Sequence, residues 1–112
     1  MDIIIDSDFG VDDTFCLKYM IKLHHLKKCN ILGITTVCGN IKAKNAYLSG
    51  KYITKEIFNS DIDVFYSPES REFDDRCSYF YGEDGHYEMI KNTIDYRFTN
   101  YNGKTSVEFL MD

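Results

Sequence analysis

No run of apolar residues in this chain approaches the roughly eighteen needed to span a bilayer. A signal peptide is not expected, because β-branched residues and acids begin at once after Met1. The four cysteines, Cys16, Cys29, Cys38 and Cys77, form no C-x-x-C pair and no zinc spacing with His24, His25 or His86. Nor does an N-x-Ser/Thr sequon occur. These absences point away from membrane and secretion and toward free thiols in a reducing cytoplasm. Positive charge is scarce too: 13 Lys and Arg stand against 18 Asp and Glu, a net charge of −5. Lys22, Lys27 and Lys28 read as a solvated helix face and its end. A chain without a basic surface has nothing to hold a phosphate backbone, which excludes nucleic acid as a partner.

What the chain does have is enough apolar residue for one core: 44% hydrophobic and 15% aromatic over 112 residues argue for a single folded domain rather than disorder. Its most informative stretch comes first. Ile3-Ile4-Ile5 opens into Asp6-Ser7-Asp8-Phe9-Gly10-Val11-Asp12-Asp13, four carboxylates within eight residues and no Lys or Arg before Lys18. Two such charges about 5 Å apart repel by about 3 kcal/mol at an effective dielectric near 20. Either protons or a cation must share the site. Oxygen donors at this density favour a hard ion, Ca²⁺ or Mg²⁺, over zinc.

Asp2 to Asp6 is short, β-branched and bounded by turn residues, which predicts a buried strand. Gly10 makes the turn. From Val11 to about Leu26, Cys16, Met20 and Leu23 fall on one helical face with Phe15 and Tyr19 beside them. Asp12 and Asp13 then lie in the first turn, where negative charge suits the helix end. Asn30 to Val37 predicts a second buried strand, and Cys38-Gly39-Asn40 the next turn. A second helix is expected from about Ile41 to Asn59, with Ala46, Gly50, Ile53 and Ile57 on its packed face. Asp63 to Tyr66 predicts a third strand, stopped by Pro68. Strand and helix in alternation give an α/β unit with a parallel sheet. Beyond Pro68, residues 69 to 85 are polar, aromatic and longer than an ordinary connection. His86 to Ile94 suggests a short helix and Thr105 to Met111 another. Three parallel strands expect further strands and cover on both faces.

Ligands of open α/β sheets bind beyond the carboxyl ends of the strands. Asp6 and Asp8 end the first strand; Thr35, Thr36 and Asn40 end the second. Both sets therefore arrive at one edge, with two of the acids expected to be buried there. Singly, each acid reads as a helix cap or turn residue; together they read as a metal or catalytic site.

The order of these residues resembles a known family. Asp6 to Asp13 is similar to the D-x-D-P-G-x-D-D signature of the inosine–uridine preferring nucleoside hydrolases, and Leu32 to Asn40 is similar to that family's L-G-I-T-T-V-x-G-N segment. Asn45-Ala46 stand where the family's second helix carries N-A. The resemblance is strong over residues 1–66 and thinner over 67–112, which read as a substrate-loop-like and helical tail. It implies a Rossmann-like parallel sheet with a β-α-β-α-β start, a partial domain truncated relative to the nucleoside hydrolase fold. It further implies Ca²⁺, ahead of Mg²⁺, beneath a ribose pocket, with Asp8 and Asp13 as ligands. Asp8 would also take the proton from the attacking water. Asp12 and Asn40 would bind the sugar, and Asp6 would support the water and its ligands.

Two departures accompany the match. Phe9 replaces the motif's proline, which removes a fixed φ and would loosen the loop. In Phe80 to Gly85, similar to the family's H-G-x-x-G-L stretch, Tyr81 replaces the histidine and His86 follows in place of the leucine. Tyr81 and His86 are the candidate contacts to the base. Members of the family are much longer and carry later ligands, so the implied activity is Ca²⁺-assisted cleavage of a nucleoside N-glycosidic bond, weak or absent in this chain alone. A homo-oligomer or a complementing chain would supply what is missing. The alternative is a non-catalytic remnant that binds a nucleoside, a cation or a partner chain. A haloacid dehalogenase-like phosphatase also opens on D-x-D, yet Phe9 to Asp13 does not follow that pattern and the second block has no place in it.

Overall fold

The computed structural model describes residues 1–39, 41–68, 81–94, 101 and 103–112. Its elements run β1 (Asp2–Ser7), α1 (Val11–His25), β2 (Asn30–Thr36), α2 (Ala43–Tyr52), a π-helical turn (Ile53–Ile57), β3 (Val64–Phe65) and α3 (Ser106–Met111). The described strands form one parallel sheet in the order β1-β2-β3. This is the α/β alternation expected from the sequence, with each strand returning after a helix.

Register places Ile5 beside Ile34, Asp6 beside Thr35 and Ser7 beside Thr36, so β1 and β2 end together. β1 is an edge strand, not a buried one. Ile3 and Ile5 turn inward while Asp2, Ile4 and Asp6 are exposed. β2 is central, and Ile31, Ile34, Thr35 and Thr36 are all buried. Among the described residues β2 has a strand on both sides and is buried throughout its second half, with Leu32 exposed before it, whereas β1 has a strand on one side and alternates.

α1 corrects the expected packing face. Leu17 and Ile21, 2% and 3% exposed, join the core together with part of Met20, whereas Phe15 and Tyr19 are 72% and 65% exposed and Cys16 is exposed as well. The helix carries apolar side chains on two opposite sides, so periodicity alone does not choose between them. It ends where Lys27 takes φ +60 and the Lys28 N–H returns to the Leu23 carbonyl at 2.9 Å.

α2 packs through Ala43, Ala46, Ser49 and Gly50. It is shorter than expected: after Tyr52 the Phe58 N–H reaches the Ile53 carbonyl in a wider turn, and Asn59 at φ +50 ends it. Ile53 is buried but Ile57 faces solvent.

Residues 86–94 form a series of turns instead of a helix. The buried Asp84 explains this. Its Oδ1 accepts from the N–H groups of His86 (2.8 Å) and Glu88 (3.0 Å), and its Oδ2 from those of Ile90 (2.8 Å) and Lys91 (2.9 Å). Tyr87 and Glu88 at φ +57 and +68 bend the chain around the carboxylate, a backbone shape no helix contains. α2 anchors the assembly, with Asn45 Nδ2 donating to the Glu83 carbonyl and Ser49 Oγ to the Asp84 carbonyl.

α3 starts on a capping box, with the Thr105 hydroxyl and Glu108 bonding each other's backbone N–H. Tyr66 bridges Thr105 in parallel, and the Ser106 hydroxyl donates to the Phe65 carbonyl at 3.1 Å. Phe109 stacks on Phe65, ring centroids 4.2 Å apart, above the bare backbone of Gly33, where a Cβ would stand 2.7 Å from the Phe109 ring. Ile4 and Leu32 nevertheless stay exposed. Cys16, Cys29 and Cys38 are free thiols, and among the described residues no helix is long and apolar enough to cross a membrane.

Asp84→Ala strips four amides of their acceptor. Unfolding free energy should fall by about 3 kcal/mol, and native-state hydrogen exchange should accelerate at His86, Glu88, Ile90 and Lys91. Unchanged protection of those four amides would contradict the assigned role.

Candidate functional site

The site begins where β1 stops. Phe9 N–H donates to the Ser7 hydroxyl (2.9 Å) and Gly10 N–H to Asp8 Oδ1 (3.2 Å), which folds residues 7–10 back into the start of α1. Phe9 sits at φ +55, an uncommon conformation for a bulky residue. Burial holds it there: the ring is fully enclosed and lies on Gly50, where a Cβ would stand 2.5 Å from it. Proline, locked near φ −65, cannot enter this turn. The departure at residue 9 therefore reshapes and pins the loop; it does not loosen it.

The turn brings Asp8 and Asp13 together. Asp13, in the first turn of α1, accepts from the Ser7 hydroxyl at 3.0 Å and shares a hydrogen bond with the Asp8 carboxyl. That bond to Asp8 is the main reason the Asp13 carboxyl is pushed up to about 6 from its ordinary 3.8. Partial burial raises it further, the Ser7 hydroxyl opposes the shift, and the charges of Asp8 and Asp12 add to it. The backbone of Gly39, from the loop after β2, presses on the Asp8 carboxylate so closely that no side chain fits there.

Asp6 and Asp12 lie around this pair. Asp6 accepts from the Thr35 hydroxyl at 2.6 Å, so the ends of β1 and β2 do meet through their polar side chains. Thr36 turns away and donates to the Phe65 carbonyl at 2.7 Å, tying β2 to β3. Neither Asp6 nor Asp8 is buried: Asp6 is exposed and Asp8 half-buried, because β1 is the sheet edge. Asp12 is exposed on the first turn of α1. Asn40 lies outside the described residues.

His86 does arrive beside the acidic turn. Its Nε2 is 2.8 Å from the Thr14 hydroxyl and its Nδ1 is 2.9 Å from the Asp84 carbonyl. The Asp84 carbonyl can only accept, so Nδ1 carries the hydrogen of a neutral ring, and the Thr14 hydroxyl has both His86 Nε2 and the Gly10 carbonyl (3.1 Å) within its reach. Tyr81 is partly exposed and tilts against Tyr87 with ring centroids 6.1 Å apart.

Four residues with a part here escaped the sequence reading. Ser7, between two aspartates, reads as spacer yet is the buried donor to Asp13. Thr14, one step past the acids, links them to His86. Gly39 looks like a turn residue and proves to be the clearance for Asp8. Asp84 carried no assigned role, although an acid between Glu83 and Gly85 in a turn-rich stretch is a signal for backbone capture. Two hollows, of 450 Å³ beside Tyr52 and Ile94 and 410 Å³ beside His24 and Cys29, are lined by none of the predicted site residues.

A profile of the family described as inosine-uridine preferring nucleoside hydrolase matches residues 3–111. The chain belongs to this family. The match extends well past residue 66, through the region where resemblance by motif thins. Nucleoside hydrolases of this family act on nucleosides and depend on a metal. Among the described residues no three His, Cys, Asp or Glu side chains gather as a ready ligand set. Asp8 and Asp13 nonetheless fit such an ion by chemistry. Both are oxygen donors, and a cation between them would offset the repulsion that raises Asp13.

The shifted Asp13 sets the sign of a pH effect. Between about 4 and about 6 the folded chain binds a proton that the unfolded chain has released, so stability should decline as pH rises through that window. Solvent screening at this half-exposed group limits the change to about 1 kcal/mol. Thermal melts from pH 4 to 7 should show the decline, and Asp13→Asn, a permanent mimic of the neutral acid, should flatten it. A wild-type melting temperature that climbs over the same range would contradict the raised Asp13.

Proposed function

We propose that this chain provides the ion- and sugar-binding end of a nucleoside N-ribohydrolase, as a single partial domain, with Ca²⁺ held by Asp8 and Asp13. The observation that supports the reading most is the meeting of the Asp8 and Asp13 carboxyls at the end of β1, the one bonded by Gly10 N–H and the other by the Ser7 hydroxyl, with Asp13 pushed up to about 6. At neutral pH such a pair is a cost to the isolated fold, and a divalent ion would relieve it.

In this reading Asp8 is held by Gly10 N–H, and the lack of a side chain at Gly39 leaves room for its carboxylate at the site. It accepts the proton of the water that attacks C1′ of the sugar. Asp12 and Asn40 take sugar hydroxyls, and Asp6, fixed by Thr35, orients the water from the strand end. Tyr81 offers an exposed ring for stacking on the base. His86 holds Thr14, and with it the first turn of α1, against the acidic loop. The chemistry a bound Ca²⁺ supplies is activation of water near neutral pH and charge stabilisation as an oxocarbenium-like centre develops.

One observation favours binding without turnover. Ca²⁺ takes roughly six to eight oxygen ligands, and the described residues bring together two carboxylates. On that count the chain alone binds a nucleoside or cation and leaves the bond intact unless a partner completes the site.

Titration with CaCl₂ to about 10 mM should raise the melting temperature by a few degrees, about 4–8 °C per kcal/mol of binding. Asp8→Ala should abolish that rise; an undiminished rise in Asp8→Ala removes Asp8 from the site. Ribose release from inosine and uridine, measured with Ca²⁺ present, then separates hydrolase from binder.

A further inference from the structure

We propose that the outer face of α1 is a self-association surface, on which α1 of a second copy of this chain lies antiparallel. α1 carries more apolar surface than its own core uses. Leu17 and Ile21 are spent on the core, yet Phe15, Cys16 and Tyr19 form a stripe on the opposite side, continued past the helix end by Leu26 at 56% exposure. Phe15 and Tyr19 are four residues apart, so their rings lie one above the other on a single face. Two large exposed aromatics in register are a patch, not scattered surface residues.

Charge selects the partner. Asp12 precedes the aromatic pair and Lys22 follows it, and all four side chains lie on one side of the helix and are exposed. In an antiparallel pair related by a two-fold axis at the level of Leu17, Phe15 of each copy faces Tyr19 of the other. The same axis sets each Asp12 against the other copy's Lys22. That both pairings share one axis is the self-complementarity a two-fold interface requires. A parallel arrangement would stack like charge on like charge. The antiparallel one also opposes the two helix dipoles, whose ends here carry Asp12 and Asp13 at the start and Lys22, His24 and His25 at the finish. Helix axes about 8–10 Å apart suit ring-to-ring contact. One helix face falls short of the roughly 800 Å² per partner of a standard interface, so the pair belongs to the weak class, with a Kd of about 100 μM. The pairing does not rest on the hydrolase reading. It does bring the partner's Lys22 to the rim of the acidic turn.

Sedimentation equilibrium on the full chain should show a mass rising with concentration from 13.1 kDa toward twice that value. Phe15→Glu combined with Tyr19→Glu should raise the dissociation constant at least about tenfold, with the melting temperature of the dilute protein unchanged because both sites are solvent-facing. Lys22→Glu should weaken association, and Asp12→Lys together with Lys22→Glu should restore it. A short bismaleimide should cross-link the wild type at Cys16, and Cys16→Ser should lose that product. A mass fixed at 13.1 kDa up to about 1 mM overturns the proposal and leaves the stripe to a different partner. Association that persists undiminished in the double glutamate variant, or cross-linking that survives Cys16→Ser, overturns it as well by locating the contact elsewhere.

Discussion

The Phe9 ring against Gly50 is the contact around which the remaining parts are arranged. It lies between the end of β1 and the last turn of α2, and the Phe9 carbonyl in turn crowds Gly85, which itself sits at φ +73. One side chain thus joins the acidic turn, the second helix and the Asp84-centred loop. The backbone conformation this demands of Phe9 costs about 1–2 kcal/mol. Full burial of a phenylalanine contributes about as much or more, so the strained turn is the stable one. Because the turn is held from three sides, Asp8 and Asp13 face each other in the absence of any other reason to do so.

That enforced meeting explains the electrostatics. Acids on a free loop separate and ionise; here Ser7 bonds both Phe9 and Asp13, and Gly39 blocks Asp8 from behind. The fold therefore stores repulsion that a proton relieves in acid and that, in the proposed function, a divalent cation would relieve at neutral pH. Asp84 shows the opposite solution in the same molecule. Its carboxylate is fully buried yet satisfied by four backbone N–H groups, which leaves it no capacity for a ligand. Burial alone therefore does not mark an acid as open to a ligand.

The strands and their order were legible because β-branched runs between turn residues have few alternatives, and parallel order follows from the intervening helices. The acidic turn was legible because four carboxylates so close together are hard to explain otherwise. The packing face of α1 was not, since Phe15, Cys16 and Tyr19 imitate a core stripe as well as Leu17 and Ile21 do. Residues 86–94 carry helix-compatible spacing, but a long-range anchor, Asn45 and Ser49 on the Glu83 and Asp84 carbonyls, together with capture of four amides by Asp84, outweighs local propensity. The effect of Phe9 was misjudged for a similar reason. Loss of proline looks like loss of rigidity until the glycine at residue 50, far along the chain, is seen to receive the ring.

A helix of six residues does not persist in water by itself, and α3 exists because Phe109 finds a flat seat over Gly33. The missing methyl at that glycine is thus felt at the far end of the molecule. Adding one would push the aromatic lid off the sheet and leave Phe65 and its neighbours wet, so the central strand and the terminal helix should melt as one cooperative unit. A residue chosen for having no side chain decides whether the tail is structured at all.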